Sequence, residues 1–246
     1  MNEQKSTSEQ KSMSDHPVSI VTGAGSGIGA ACARMLAARG HAVVLVGRTQ
    51  DKLDGVRATL ADPTRHLVMA ADIADSGLAH EVVDKTIQAF GRLDTLVLSA
   101  GVAPLAPIDR TTEEILEEAF FINTFGPANL IVRAWPQFKK QRAGRVAIVS
   151  TIGTSDPFPG FFAYAASKSA VDSFARSIKA EGKAIGVKGF AINPGAVETP
   201  LLRKNFPENV IPPSRAMPPE KVAEIVVACA CGERDEDNGK AIAVPS

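Results

Sequence analysis

The sequence predicts a single α/β domain: one doubly wound parallel sheet of seven strands with helices on both faces. Three observations carry this expectation. Short apolar, β-branched runs alternate with longer helical periods from Val18 to the last residues. Most of those runs are continuously apolar, the pattern of strands buried on both faces. A glycine-rich turn joins the first run to the first helical period, which is how such sheets offer their strand ends to a ligand.

Taken in order, Val18–Thr22 is the first strand. The next stretch places Ile28, Ala31, Cys32, Met35 and Leu36 on one stripe, and Gly40 stops it. Further strands are expected at 42–46, 66–69, 95–99, 145–150, 187–193 and 240–244. Helices are expected at 51–61, 76–90, 113–139, 163–182 and 219–232. No repeat and no Pro/Gly linker divides residues 17–246, so one domain is expected. Residues 1–16 are rich in Ser, Gln, Lys and Glu. They read as a disordered tail and lack the apolar stretch of a signal peptide.

Composition narrows the function. The chain has 246 residues, 45% hydrophobic, enough for a full core without disulfide or metal staples. Lys plus Arg and Asp plus Glu each number 27, so the chain is neutral. A neutral chain without basic runs points away from nucleic acid and from an anionic membrane surface. No apolar run reaches the ~18 residues of a membrane span. Three cysteines, Cys32, Cys229 and Cys231, make no framework and fit a reducing, cytoplasmic compartment. Cys229 and Cys231 have no further ligand near them, so they read as small apolar residues of a helix and no metal site is expected.

The turn reads Thr22-Gly23-Ala24-Gly25-Ser26-Gly27-Ile28-Gly29. Glycine lets backbone approach a pyrophosphate closely, and the helix start that follows offers unpaired N–H groups to the anion. A ligand-free βα turn shares this composition, but the flanking strand and helix favour a dinucleotide. No Gly-Lys-Ser/Thr follows, which excludes a P-loop. The second strand ends in Gly47-Arg48. An NAD site places an acid here for the ribose hydroxyl, whereas Arg48 suits a 2′-phosphate, which points to NADP(H) over NAD(H). Tyr164, the single tyrosine, stands four residues before Lys168. On a helix both share a face, so the ammonium is expected to pull the phenol pKa down and make Tyr164 a general acid/base.

The spacing of Gly23, Gly27 and Gly29, with Thr22 and Ile28, resembles the short-chain dehydrogenase/reductase family, and so does the pairing of Tyr164 with Lys168. The resemblance runs from residue 17 to about 244 and implies roles for further positions. Asp72 and Ile73 look like the adenine contact. Ser99, Ala100 and Gly101 stand where the family usually carries Asn-Asn-Ala-Gly, so both amides are missing and Ser99 replaces them in part. Thr151 falls thirteen residues before Tyr164, at the position of the family's catalytic serine, with Ser150 beside it. Asn123 resembles a buried asparagine that kinks its helix and holds a relay water. Pro194, Gly195, Val197 and Thr199 resemble the segment that wraps the nicotinamide; Ser26 and Ile28 belong to the cradle.

The resulting expectation is an NADP(H)-dependent oxidoreductase that passes hydride between the nicotinamide and a carbonyl or secondary alcohol. An NAD(H)-preferring dehydrogenase and a non-catalytic nucleotide-binding scaffold are the alternatives. Pro104, Leu105, Phe158, Phe161, Phe162, Leu201, Leu202 and Phe206 are expected to make an apolar substrate pocket for a small molecule. The two long helices, 113–139 and 163–182, are apolar around much of their circumference and are expected to build a homodimer or homotetramer.

Overall fold

The computed structural model describes residues 16–245, so the expected tail falls almost wholly outside the described residues. Seven strands form one sheet: β1 Val18–Thr22, β2 Ala42–Gly47, β3 Leu67–Ala70, β4 Thr95–Leu98, β5 Gly144–Val149, β6 Val187–Pro194 and β7 Ala241–Val244. Their order is β3-β2-β1-β4-β5-β6-β7, and every adjacent pair is parallel. The α-helices are α1 Gly27–Ala38, α2 Gln50–Arg57, α3 Ser76–Phe90, α4 Glu113–Phe120, α5 Gly126–Gln141, α6 Phe162–Gly182, α7 Pro200–Asn205 and α8 Pro219–Cys231.

Successive strand residues point to opposite faces, and this splits the apolar runs between two core layers. Val21, Val43, Leu45, Val97 and Phe190 pack with Cys32 and Leu36 of α1 and Val226 and Cys229 of α8. Ile20, Val44, Val46, Leu96 and Ile148 pack instead with Val82 of α3, Leu130 and Phe138 of α5, and Val171 of α6. Burial pushes the Cys32 and Cys229 thiols up, the latter to about 12, so both behave as small apolar side chains. The chain winds outward from β1 to β3, then crosses back to β4. The crevice between β1 and β4 is therefore the switch point at which such sheets bind ligands.

One element departs from expectation. The helix anticipated over 113–139 is broken by a π turn, Phe121–Phe125, between α4 and α5. Pro127 has no N–H with which to bond the Asn123 carbonyl four residues back. The Gly126 N–H instead reaches five residues back to the Phe121 carbonyl.

Candidate active site

The cradle is built by close backbone approach. Gly23 has φ +66°, and a Cβ there would lie 2.9 Å from Ala100 Cα. Gly27 has φ +52°, and a Cβ there would lie 2.9 Å from Thr199 Cγ2. Both positions combine a left-handed backbone with no room for a side chain, as glycine requires. Gly29 works differently: its Cβ would sit 2.3 Å from the Gly23 carbonyl oxygen, so this residue closes the turn on itself. Ser26 starts α1 with no side-chain cap, and no acidic residue stands in the first turn. The first-turn amides keep the positive end of the helix dipole for an anion. The residues therefore fit a dinucleotide.

Thr22 braces the sheet at this point. Its Oγ1 accepts from the N–H groups of Ser99 and Ala100, each at 3.1 Å. This hydroxyl joins β1 to the end of β4 where the amides of the Asn-Asn-Ala-Gly pattern are missing.

The chemistry-bearing side chains come from the ends of β5 and β6, from α6 and from the π turn. Helical register puts Tyr164, Lys168 and Asp172 one turn apart along one face of α6. The Thr151 hydroxyl acts on the Tyr164 phenol, holding its pKa down, and accepts from Gly153 N–H at 3.2 Å. Ser150 also lines the cavity, and its hydroxyl donates to the Lys168 carbonyl at 3.4 Å. Lys168 is buried, and its Nζ donates to the Val149 carbonyl at 2.8 Å. A Cβ on Gly101 would approach this Nζ to 3.2 Å and Asn123 Oδ1 to 3.0 Å, so Gly101 separates the two polar groups.

Burial pushes Tyr164 up to about 12, with the Thr151 hydrogen bond pulling the other way. Lys168 stands one turn further along the same helix face, with its Nζ donating to the Val149 carbonyl. Burial also brings Lys168 down to about 8, while the Asp172 carboxylate opposes the fall.

Asn123 is fully buried and fully bonded. Its Oδ1 accepts from Val102 N–H at 2.9 Å, and its Nδ2 donates to the Val102 carbonyl at 2.9 Å and to Ser167 Oγ at 3.0 Å. It thereby ties the π turn to the loop after β4 and to α6. Asn193 plays a matching part that the sequence reading missed. Its Nδ2 lies 3.0 Å from each of the Thr151 carbonyl, Thr154 Oγ1 and Asp172 Oδ2, which share its two protons. The available signal was Asp172, one turn beyond Lys168 on an otherwise small and apolar helix face.

A cavity of about 830 Å³ joins these parts. Thr151, Tyr164 and Lys168 line it together with Gly23, Ser26, Gly27, Ile28, Ser99, Ala100, Gly101, Pro194, Gly195, Val197 and Thr199. Gly29 lies behind its wall. Arg48 is exposed beyond the end of β2, and Lys52 of α2 packs against the glycine turn, its Cβ 3.1 Å from a Cβ placed on Gly25. Asp72 accepts from Ala74 N–H at 3.0 Å, and Asp75, not Asp72, caps α3. Ile73 is buried against Gly126. Of the eight expected substrate residues, Leu105, Phe158, Phe161, Leu201, Leu202 and Phe206 line the cavity. Pro104 does not, and Phe162 points outward at 48% exposure because it starts α6 on its solvent side. Phe161 stacks edge-on against Tyr164 with centroids 5.4 Å apart.

Known proteins share this architecture. Levodione reductase superposes with a TM-score of 0.86 at 25% identity, covering 93% of this chain and 96% of that one. A 3-ketoacyl-(acyl-carrier-protein) reductase from Brucella melitensis, solved with NADH, gives 0.85 at 28% identity over 93% and 96%. The 3-oxoacyl-[acyl-carrier-protein] reductase of Thermotoga maritima is 31% identical over 235 residues, 92% of this chain and 95% of that protein. Dehydrogenase/reductase SDR family member 7B of Rattus norvegicus is 33% identical over 75% of this chain, and the match spans 59% of that longer protein. The family model for short chain dehydrogenase matches residues 17–210. The chain thus belongs to the short-chain dehydrogenase/reductase family, oxidoreductases that move hydride between a nicotinamide cofactor and a CH–OH or C=O group.

Proposed function

We propose that this protein reduces a carbonyl group on a small, largely apolar molecule, with NADPH as its preferred cofactor. The observation that carries the reading is the meeting of Thr151, Tyr164, the buried Lys168 and the glycine cradle in one cavity. A bound nicotinamide cofactor supplies the hydride. Tyr164, protonated throughout the neutral range, donates a proton to the carbonyl oxygen, and Thr151 orients that oxygen. Lys168 holds the ribose and presents a positive charge beside the phenol. Asn123 fixes the π turn, whose main chain holds the water that returns a proton to the site. Most of the rate gain comes from positioning and electrostatics around a reactive cofactor. Binding of NADPH and NADH measured side by side, followed by turnover on a ketone panel, tests the reading. Tight binding with no turnover would favour a scaffold.

The proposed cofactor preference rests on Arg48 and on Gly47, which stands where an acid would be, at the end of β2. Arg48→Leu is expected to weaken NADPH about ten-fold or more and to leave NADH unchanged. Equal affinity for both in the unmodified protein would make Arg48 a turn residue only.

The lysine gives the reaction a pH signature. Lys168 loses its proton above about pH 8, so kcat/KM for reduction is expected to fall on that side. Asp172→Asn removes the charge that holds the proton on, and the alkaline limb is expected to move to lower pH. An unmoved limb would show that Lys168 does not set it.

The exposed face of the helix interrupted by the π turn supports self-association. Phe121, Phe125 and Val132 are exposed there, with the two rings 5.5 Å apart. Light scattering is expected to give a dimer or tetramer; a particle of about 26 kDa would contradict this.

A further inference from the structure

The cavity has an uneven charge distribution. Among the described residues, Lys168 and Arg215 are the only charged side chains that line it, and no Asp or Glu does. Lys168 is buried at the floor and committed to the Val149 carbonyl. Arg215 is exposed at the rim, on the one-turn helix Pro213–Arg215, where Pro212 and Pro213 stiffen the segment. Between floor and rim the wall is apolar, formed by Phe161, Leu202, Phe206 and Ile211.

The neighbouring arginine makes a useful contrast. Arg203 forms a two-pronged ion pair with Glu198 and donates to the carbonyls of Phe206 and Ile211, so its charge is spent on holding the segment together. Arg215 has no ion pair or side-chain hydrogen bond among the described residues. It therefore presents a free fork of donors at the mouth of an otherwise uncharged, acid-free channel, which favours entry of an anion. Of the groups proposed to hold the cofactor's phosphates, Arg48 lies beyond β2, on the far side of β1 from β6, and the cradle at the start of α1 meets the segment after β6 at Thr199, sixteen residues before Arg215. Arg215 belongs to the segment between β6 and β7.

Building on the carbonyl-reductase reading, we propose that the substrates are carbonyl compounds whose apolar body ends in an anionic group, a carboxylate or a phosphate, and that Arg215 reads that group. The anion pairs with the guanidinium at the rim while the chain behind it lies along the apolar wall and sets the carbonyl at Tyr164. Arg215 determines specificity and takes no part in proton transfer.

The test compares compounds that share a carbonyl and differ in charge. 5-Oxohexanoate is set against its methyl ester, and a 3-oxoacyl pantetheine thioester against its 4′-phosphorylated form; the two pairs separate carboxylate from phosphate. The anionic member of at least one pair is expected to show about five-fold higher kcat/KM, an advantage that shrinks as salt rises because the arginine is exposed. Arg215→Leu is expected to remove the advantage through KM, with kcat and NADPH affinity unchanged, and Arg215→Lys to keep part of it. The same pairs are titrated as ligands by saturation-transfer NMR. A loss of turnover with all compounds would count against the carbonyl-reductase reading, while the anion preference would still be read from binding. Equal kcat/KM and equal binding within both pairs would overturn the proposal. So would an Arg215→Leu variant that weakens NADPH and both members of a pair alike, since the arginine would then serve the cofactor or the fold.

Discussion

Tyr164→Phe is expected to lower turnover by roughly 10²–10⁴-fold, the usual scale for loss of a positioned general acid, while NADPH affinity stays within several-fold. The split follows from the geometry. The phenol is the proton donor, and the cradle around Gly23, Gly27 and the α1 amides holds most of the cofactor. The ring remains in the variant, so the edge-on contact with Phe161 is kept and the fold has no reason to change. Steady-state rates and a fluorescence titration with NADPH check both halves. Retention of more than a tenth of the activity would remove Tyr164 from its role. Lys168→Ala should differ by reducing rate and affinity together, since that ammonium serves both ribose and proton chemistry.

The second large effect is expected at Thr151. Thr151→Ala should lose about 10²-fold in kcat, the scale seen when a donor to a developing oxyanion is removed. Thr151→Ser should keep most activity, because the hydroxyl stays. Ser150→Ala should be mild, since that hydroxyl is turned to the Lys168 carbonyl. The reverse pattern, with Ser150 essential and Thr151 dispensable, would mean that the strand end rearranges when substrate enters. Equal tolerance at both would leave the chemistry on Tyr164 and Lys168 alone.

The sheet was legible because parallel strands buried on both faces leave continuous apolar runs, and all seven stand where those runs lie. The glycine turn was legible for a similar reason, since positive φ and close approach leave no alternative residue at Gly23 and Gly27. The break at Phe121–Phe125 was legible only through the resemblance, which places a kink at Asn123. Its cause, a proline four residues after Asn123, is visible in the sequence, but a helical hydrophobic period continues through it and hides the interruption. The brace from Thr22 and the amide of Asn193 were also hidden, because each depends on which strand ends the topology brings together. Tyr164 and Lys168 could be paired by helical spacing, yet spacing alone does not say what the ammonium bonds. Its partner proved to be the Val149 carbonyl, on a strand that the spacing argument did not include.

The most direct test of the account follows the hydride itself. NADPH carrying deuterium at the transferable position of C4 is incubated with the protein and a set of apolar ketones and keto acids, and the alcohols formed are read by mass spectrometry and NMR. The account predicts one deuterium at the carbinol carbon of the product, at a rate that Tyr164→Phe lowers at least ten-fold. NADPH bound tightly, with no deuterium transferred to any of the compounds, would contradict it and leave a nucleotide-binding protein without this chemistry.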